Sequence, residues 1–264
     1  MKVLSDKCKL VYIHIGKTAG SSMREQLPKS IEVVHMKKPT FKNNHYYVIW
    51  IRNPLNRFVS AFWHSANIIN FKLSKKCTFS DIFHDKETPF YMLKNKINSK
   101  LNYDNPFMCE PSFVNCDAKR YVDLINFFQN PNNLAESLSC ENKKTRESAF
   151  ELMNNGCEHM NKGIGWYLGN GDFVEKYHRN IKLVGRTECM KSDTEKLSKI
   201  CNKKIQCGNV RIGESDFKKK YLSDVAVHNL LNFYRDSDYK AISALHKYNF
   251  IDDKTLMEYK IYER

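Results

Sequence analysis

The sequence predicts one α/β domain built as three layers, a central parallel sheet flanked by helices. Three observations point there. Short apolar runs rich in β-branched residues have the continuous hydrophobicity of strands covered on both faces; a loop of small residues joins the first run to a short helix; and an apolar stripe at helical spacing follows a later run. The 264 residues suit one large α/β domain or two small ones. With no internal repeat and no long linker, a single domain over residues 1–264 is expected.

Leu10 to Ile15 (LVYIHI) predicts the first buried strand. Gly16 to Ser22 (GKTAGSS) is the small-residue loop, and the helix after it places Met23 and Leu27 on one face until Pro28 ends it. Ile31 to Val34 (IEVV) and Tyr46 to Ile51 (YYVIWI) read as the second and third strands. Asn53 and Pro54 then supply an N-cap and a first helical residue. Leu55, Phe58, Val59, Phe62 and Ala66 follow at helical spacing, which puts Arg57, Ser60 and His64 together on the opposite, polar face. From Phe71 to Trp166 the chain is richer in Asn, Lys and Cys, with turn signals at Pro106, Pro111, Pro131 and Gly156 and one readable apolar face at Tyr121, Leu124, Ile125 and Phe128. Ile181 to Val184 (IKLV) predicts a fourth strand, and a helix from about Asp193 to Ile200 follows it. Near the C-terminus Val227, Leu230, Leu231 and Tyr234 share a face, and Ser237 or Asp238 is expected to cap a last helix carrying Ile242 and Leu245.

Hydrophobic residues make up 42% of the chain and aromatic ones 12%, which excludes disorder over most of its length. Lys and Arg outnumber Asp and Glu by 43 to 29, a net charge of +14 that favours an anionic ligand or partner. The excess is concentrated from Met1 to Arg57, where eleven basic residues face only Asp6, Glu25 and Glu32. Charge alone fits a solvated face equally well. The charged stretch Met1 to Leu10 has no apolar run of signal-peptide or membrane-span length, so a cytoplasmic chain is expected, the alternative being the lumenal catalytic fragment of an anchored Golgi-type protein. None of the nine cysteines lies in a Cys-x-x-Cys pair. Reduced thiols are expected; one or two bridges among Cys109, Cys116, Cys140, Cys157, Cys201 and Cys207 are the alternative. No residues have metal-ligand spacing, and no metal is expected.

The chemistry lies in two segments. Ile13 to Ser22 (IHIGKTAGSS) puts a loop of small residues between a buried strand and a helix, where successive backbone N–H groups and the helix dipole hold an anion. Lys17 adds a mobile positive charge. The nucleotide-binding P-loop would require Gly where this chain has Val11, and the third strand ends in Arg52 and Asn53 instead of the acidic residue that holds magnesium. Arg52 stands at the carboxyl end of a buried strand, where open α/β sheets bind ligands, and Ser60 follows eight residues later. An Arg fork and a hydroxyl at that spacing can close on one phosphate. Two phosphate sites at neighbouring strand ends predict a nucleotide with phosphates at both of its ends.

These segments resemble those of sulfotransferases that use 3′-phosphoadenosine 5′-phosphosulfate (PAPS). Ile13 to Ser22 is similar to their 5′-phosphosulfate loop and Arg52 to Phe62 (RNPLNRFVSAF) to their 3′-phosphate motif. The branch containing the carbohydrate sulfotransferases, whose loop usually reads His-Ile-Pro-Lys-Thr-Ala-Gly-Thr-Ser, is the most alike. Gly16 replaces the usual Pro and is expected only to loosen the loop, while Ser21 replaces Thr and keeps the hydroxyl. LVGRTE at Leu183 to Glu188 and the Tyr-Arg-Asp-Ser-Asp-Tyr core near the C-terminus are weaker landmarks. The resemblance implies a P-loop-NTPase-like sulfotransferase fold and sulfuryl transfer from PAPS to a hydroxyl, on a carbohydrate or a small alcohol. It implies Lys17 on the leaving phosphate oxygen, Thr18, Ala19, Gly20, Ser21 and Ser22 around the 5′-phosphosulfate, and Arg52 and Ser60 on the 3′-phosphate with Arg57 as helper. His35, at the end of the second strand, is the candidate base, with Glu32 and His64 as alternatives and His14 as a structural residue. Residues 71–166 are expected to build the acceptor site and a lid. Arg186, Thr187 and Glu188 are expected either near the nucleotide or in a surface salt bridge.

Two rival readings remain at this level. One is a nucleotide kinase or NTPase; the other is a non-catalytic basic module that binds nucleic acid or a sulfated glycan. The transferase reading expects no nucleic acid and no metal requirement.

Overall fold

A computed structural model describes residues 9–35, 37–42, 44–74, 124–156, 158–206 and 220–261. Its centre is a parallel sheet of β1 (Lys9–His14), β2 (Glu32–Val34), β3 (His45–Ile51) and β4 (Ile181–Arg186) in the order β2-β1-β3-β4. The strands are buried on both sides, as their unbroken apolar runs require. Val11, Ile13, Tyr47, Ile49 and Ile51 enter the larger core, while Leu10, Tyr12, Val48 and Trp50 face a second, smaller one. A register shift between Tyr47 and Val48 marks the pairing of β3 with β4.

The smaller core is closed by α1 (Gly20–Gln26), through Met23, and by the helix after β4 (Met190–Cys201), through Met190 and Leu197. The larger core is closed by α2 (Pro54–Ser74) and by a helical assembly that follows it: α3 (Pro131–Ser137), α4 (Lys143–Glu151), α5 (Glu158–Asn161), α6 (Ile164–Leu168) and α7 (Asp172–Tyr177). With the Met190–Cys201 helix as α8, the chain ends in α9 (Asp224–Phe233), α10 (Lys240–Lys247) and α11 (Asp253–Glu258). The architecture is thus α/β with helices on both faces of a parallel sheet. Of the central stretch expected to form an insertion, residues 75–123 lie outside the described residues, as does Tyr121, and the helices from Leu124 onward contribute Ile125, Leu134 and Ile164 to the main core.

The predicted N-cap of α2 is present: the Asn53 side chain accepts from the backbone N–H of Leu55 at 2.9 Å. Asp238 does not cap α10. It lies 1% exposed inside a π-helical turn, Arg235–Tyr239, and accepts from the Gly165 N–H at 2.8 Å. Cys140 and Cys201 carry free thiols, and Cys109, Cys116, Cys157 and Cys207 lie outside the described residues. No helix among the described residues is long and apolar enough to cross a membrane.

Candidate functional site

The strand order locates the crevice. β2 and β3 lie on opposite sides of β1, so the chain leaves the carboxyl ends of β1 and β3 toward different faces and opens a gap between them. His14 pairs with Trp50, and two residues further on come Gly16 and Arg52. The loop and the arginine therefore meet: Arg52 Nη1 donates to the Lys17 carbonyl at 3.4 Å.

The loop is locally strained. Lys17 and Ala19, neither of them glycine, have positive φ of 66° and 61°. Thr18 between them is buried, and its hydroxyl donates to the Ile15 carbonyl at 2.8 Å, which closes the turn. Ala19 is the N-cap of α1 and offers no side-chain cap to the first-turn N–H groups of the helix. Gly20 is required by close approach: a Cβ there would fall within 1.7 Å of the His14 ring. The side chains of Ser21 and Ser22 lie outside the described residues.

Four histidines surround this loop. His14 stacks on His35 with ring centroids 4.0 Å apart, and His159 tilts against His64 at 5.1 Å. His159 Nδ1 lies 2.5 Å from where a Cβ on Gly16 would stand. The missing proline therefore does not simply loosen the loop, as its absence predicted; glycine makes room for the imidazole. Burial holds His14 and His159 well below the ordinary histidine range, helped by the Lys17 ammonium and by neighbouring rings. His64 is pushed down to about 3 by burial and by Lys17, which makes it a poor base at neutral pH.

His35 differs from these three. It is part-exposed at the end of β2, and its Nδ1 lies 2.8 Å from the His14 carbonyl oxygen. A carbonyl can only accept, so Nδ1 carries the proton and Nε2 keeps the lone pair. Glu32, an alternative base, stands at the other end of β2, about 10 Å from the crevice along the strand, and pairs with Lys9 at 2.9 Å.

Arg57 corrects the sequence reading. The residue expected as helper to a phosphate is 0% exposed, ion-paired to Asp238 at 3.3 Å, and donates to the carbonyls of His159 and Met160. The supposedly polar face of α2 packs against α5, so Arg57 points into protein. Ser60 is half-buried on the second turn of α2, one helical turn beyond Arg57. At the end of β4, Glu188 accepts from the Asn53 N–H at 2.9 Å and from the Tyr259 hydroxyl at 3.0 Å, which fixes the backbone next to Arg52. Arg186 contacts Thr255 and the buried Asp193, a structural role that is not a surface salt bridge. The sequence reading missed His159, Tyr167 and the partner of Arg57. Only the Gly16 departure hinted that something presses on the loop.

The histidine cluster has a pH signature. Where folded His14, His64 and His159 resist protonation, the unfolded chain binds more protons below about pH 6.5, so stability falls as pH falls through that value. Each neutral imidazole contributes a slope of about 1.4 kcal/mol per pH unit, and three together give about 4. Urea unfolding between pH 7.5 and 5.5 is expected to show the midpoint dropping steeply below pH 6.5, with a shallower drop in His64→Gln. A midpoint constant over that range would contradict the cluster's neutrality.

Among the described residues no group of three or more His, Cys, Asp or Glu is arranged to hold a metal ion. Compared with family models, curated proteins and solved structures, the chain matches none.

Proposed function

We propose that the chain is a PAPS-dependent sulfotransferase that sulfates a hydroxyl of a carbohydrate acceptor, within a sulfotransferase-type three-layer fold. The observation that carries the reading is the convergence at the β1–β3 crevice of the strained loop and Arg52, joined at 3.4 Å. The donor set suits such a nucleotide. Uncapped helix N–H groups and an ammonium address one phosphate, and a guanidinium on the adjoining strand end, with Ser60 beyond it, addresses another. The positive net charge of +14 draws anionic substrates toward it.

When bound, PAPS supplies a sulfuryl group whose S–O bond to the 5′-phosphate breaks as the acceptor oxygen bonds to sulfur, leaving adenosine 3′,5′-bisphosphate. Lys17 neutralises the charge growing on the leaving oxygen. The His35 Nε2 lone pair accepts the acceptor's hydroxyl proton, while the Nδ1 bond to the His14 carbonyl keeps the ring in that tautomer. Neutral His14, His64 and His159 line the site without competing for the proton. Arg52 and Ser60 anchor the 3′-phosphate, with Thr18, Ala19, Gly20, Ser21 and Ser22 around the 5′ end.

Calorimetry with adenosine 3′,5′-bisphosphate tests the reading. Wild type is expected to bind it saturably, and Arg52→Ala about 10–100-fold more weakly, the loss of a charge-assisted phosphate contact. No binding by wild type, or equal binding by Arg52→Ala, would sink it.

A further inference from the structure

The residue after Arg52 serves two helices at once. The Asn53 Oδ1 accepts from the Leu55 and Asn56 N–H groups at 2.9 and 3.4 Å, at the start of α2. Its Nδ2 donates to the Glu258 and Ile261 carbonyls, both at 3.1 Å, where the end of α11 has no donors of its own to offer. An aspartate would cap α2 equally well but could not donate to those carbonyls, so it is the C-terminal turn that calls for the amide. Tyr259 makes a second link. Its hydroxyl donates to Glu188, whose other oxygen accepts the Asn53 N–H, and its carbonyl accepts from the Tyr239 hydroxyl at 2.9 Å. Asn53 and Tyr259 are 5% and 2% exposed, so water does not make good a bond lost there. A helix of six residues is not held by its own hydrogen bonds, and these contacts dock α11 on the end of β3.

We propose that Asn53 and Tyr259 are positioning residues for Arg52, and that docking of the turn Glu258 to Ile261 and nucleotide binding at Arg52 strengthen each other. The nucleotide part rests on the sulfotransferase reading; the docking does not. The path is short. The turn bonds to Asn53, one peptide bond joins Asn53 to Arg52, and Arg52 donates to the Lys17 carbonyl in the loop. Linkage makes the effect reciprocal: the factor by which the docked turn raises affinity is the factor by which the ligand favours docking.

Calorimetry with adenosine 3′,5′-bisphosphate is run on wild type, Asn53→Ser, Tyr259→Phe, Arg52→Ala, and each of the first two variants combined with Arg52→Ala. Met257→Gln, at a position of α11 that is 66% exposed, is the control. Serine keeps the cap of α2 and phenylalanine keeps the ring, so each variant removes a link and little else. Both are expected to bind about fivefold more weakly than wild type, and neither to add a loss once Arg52 is alanine. Met257→Gln binds as wild type does. Amide exchange at Tyr259, Lys260 and Ile261, whose N–H groups bond within the turn, is expected to slow about fivefold in wild type at saturating nucleotide and to stay unchanged in Arg52→Ala. Wild-type affinity in both variants, an equal loss in the Arg52→Ala background or in Met257→Gln, or exchange unmoved by bound nucleotide would overturn the proposal. If wild type binds no nucleotide, the sulfotransferase reading falls and takes the linkage with it. The ligand-free chain then judges the docking alone: faster exchange at the three amides in Asn53→Ser and Tyr259→Phe than in Met257→Gln sustains it, and equal exchange removes it.

Discussion

Asp238→Ala lowers the unfolding free energy by about 3–5 kcal/mol, the cost of stranding a buried guanidinium without its counter-ion. That is a large part of the stability of an ordinary domain. Arg57 and Asp238 have almost no exposed surface, and their contacts tie three segments together. Arg57 holds the carbonyls of His159 and Met160, Asp238 holds the Gly165 N–H, and the Tyr234 hydroxyl donates to the same Met160 carbonyl at 3.0 Å. Replacing both members, as in Arg57→Met/Asp238→Leu, removes the charges but also takes away the partners that Arg57 gives the His159 carbonyl and Asp238 gives the Gly165 N–H, so only part of the stability returns. Urea unfolding followed by circular dichroism reads both variants. An Asp238→Ala midpoint equal to that of wild type would show that the pair does not brace this core. Because the strut holds the carbonyl of His159, whose ring presses on Gly16, variants that still fold are expected, on the sulfotransferase reading, to bind adenosine 3′,5′-bisphosphate less tightly.

On the sulfotransferase reading, Lys17→Ala is expected to reduce turnover about a hundredfold to a thousandfold, by analogy with the loss of one oxyanion donor. The effect falls on kcat, because the ammonium is needed most where charge accumulates in the transition state, while nucleotide affinity changes less. Steady-state rates of sulfate transfer, measured with EDTA present to separate the reaction from magnesium-dependent phosphoryl transfer, supply the test. A Lys17→Ala enzyme with unchanged kcat would move the charge-stabilising role to another group. The φ of 66° at Lys17 is part of the expectation, since a non-glycine residue keeps such a conformation when its surroundings demand it.

Much of the layout could be read along the chain because it depends on near neighbours. The four strands appear within a few residues of their predicted ends, and Asn53 caps α2 as its place before Pro54 requires. The loop at Gly16 and the strand end at Arg52 were identifiable as local patterns. Arg57 and Asp238 were not. A helical wheel shows which residues share a face but not whether that face meets water or another helix, and the partner of Arg57 is 181 positions away in the sequence. His159 was hidden for the same reason: nothing around it distinguishes it from an exposed histidine, and its place on Gly16 follows from the packing of α5 on α2.

The order of apolar runs, small residues and capping groups is enough to specify a parallel sheet with a loop of small residues after its first strand, since backbone hydrogen bonding and side-chain periodicity act over a few residues. Which histidines lie buried and neutral and which arginine turns inward are decided by burial and by contacts between distant segments. Those quantities exist only once the chain has closed on itself, because desolvation and ion pairing depend on what surrounds a group in space.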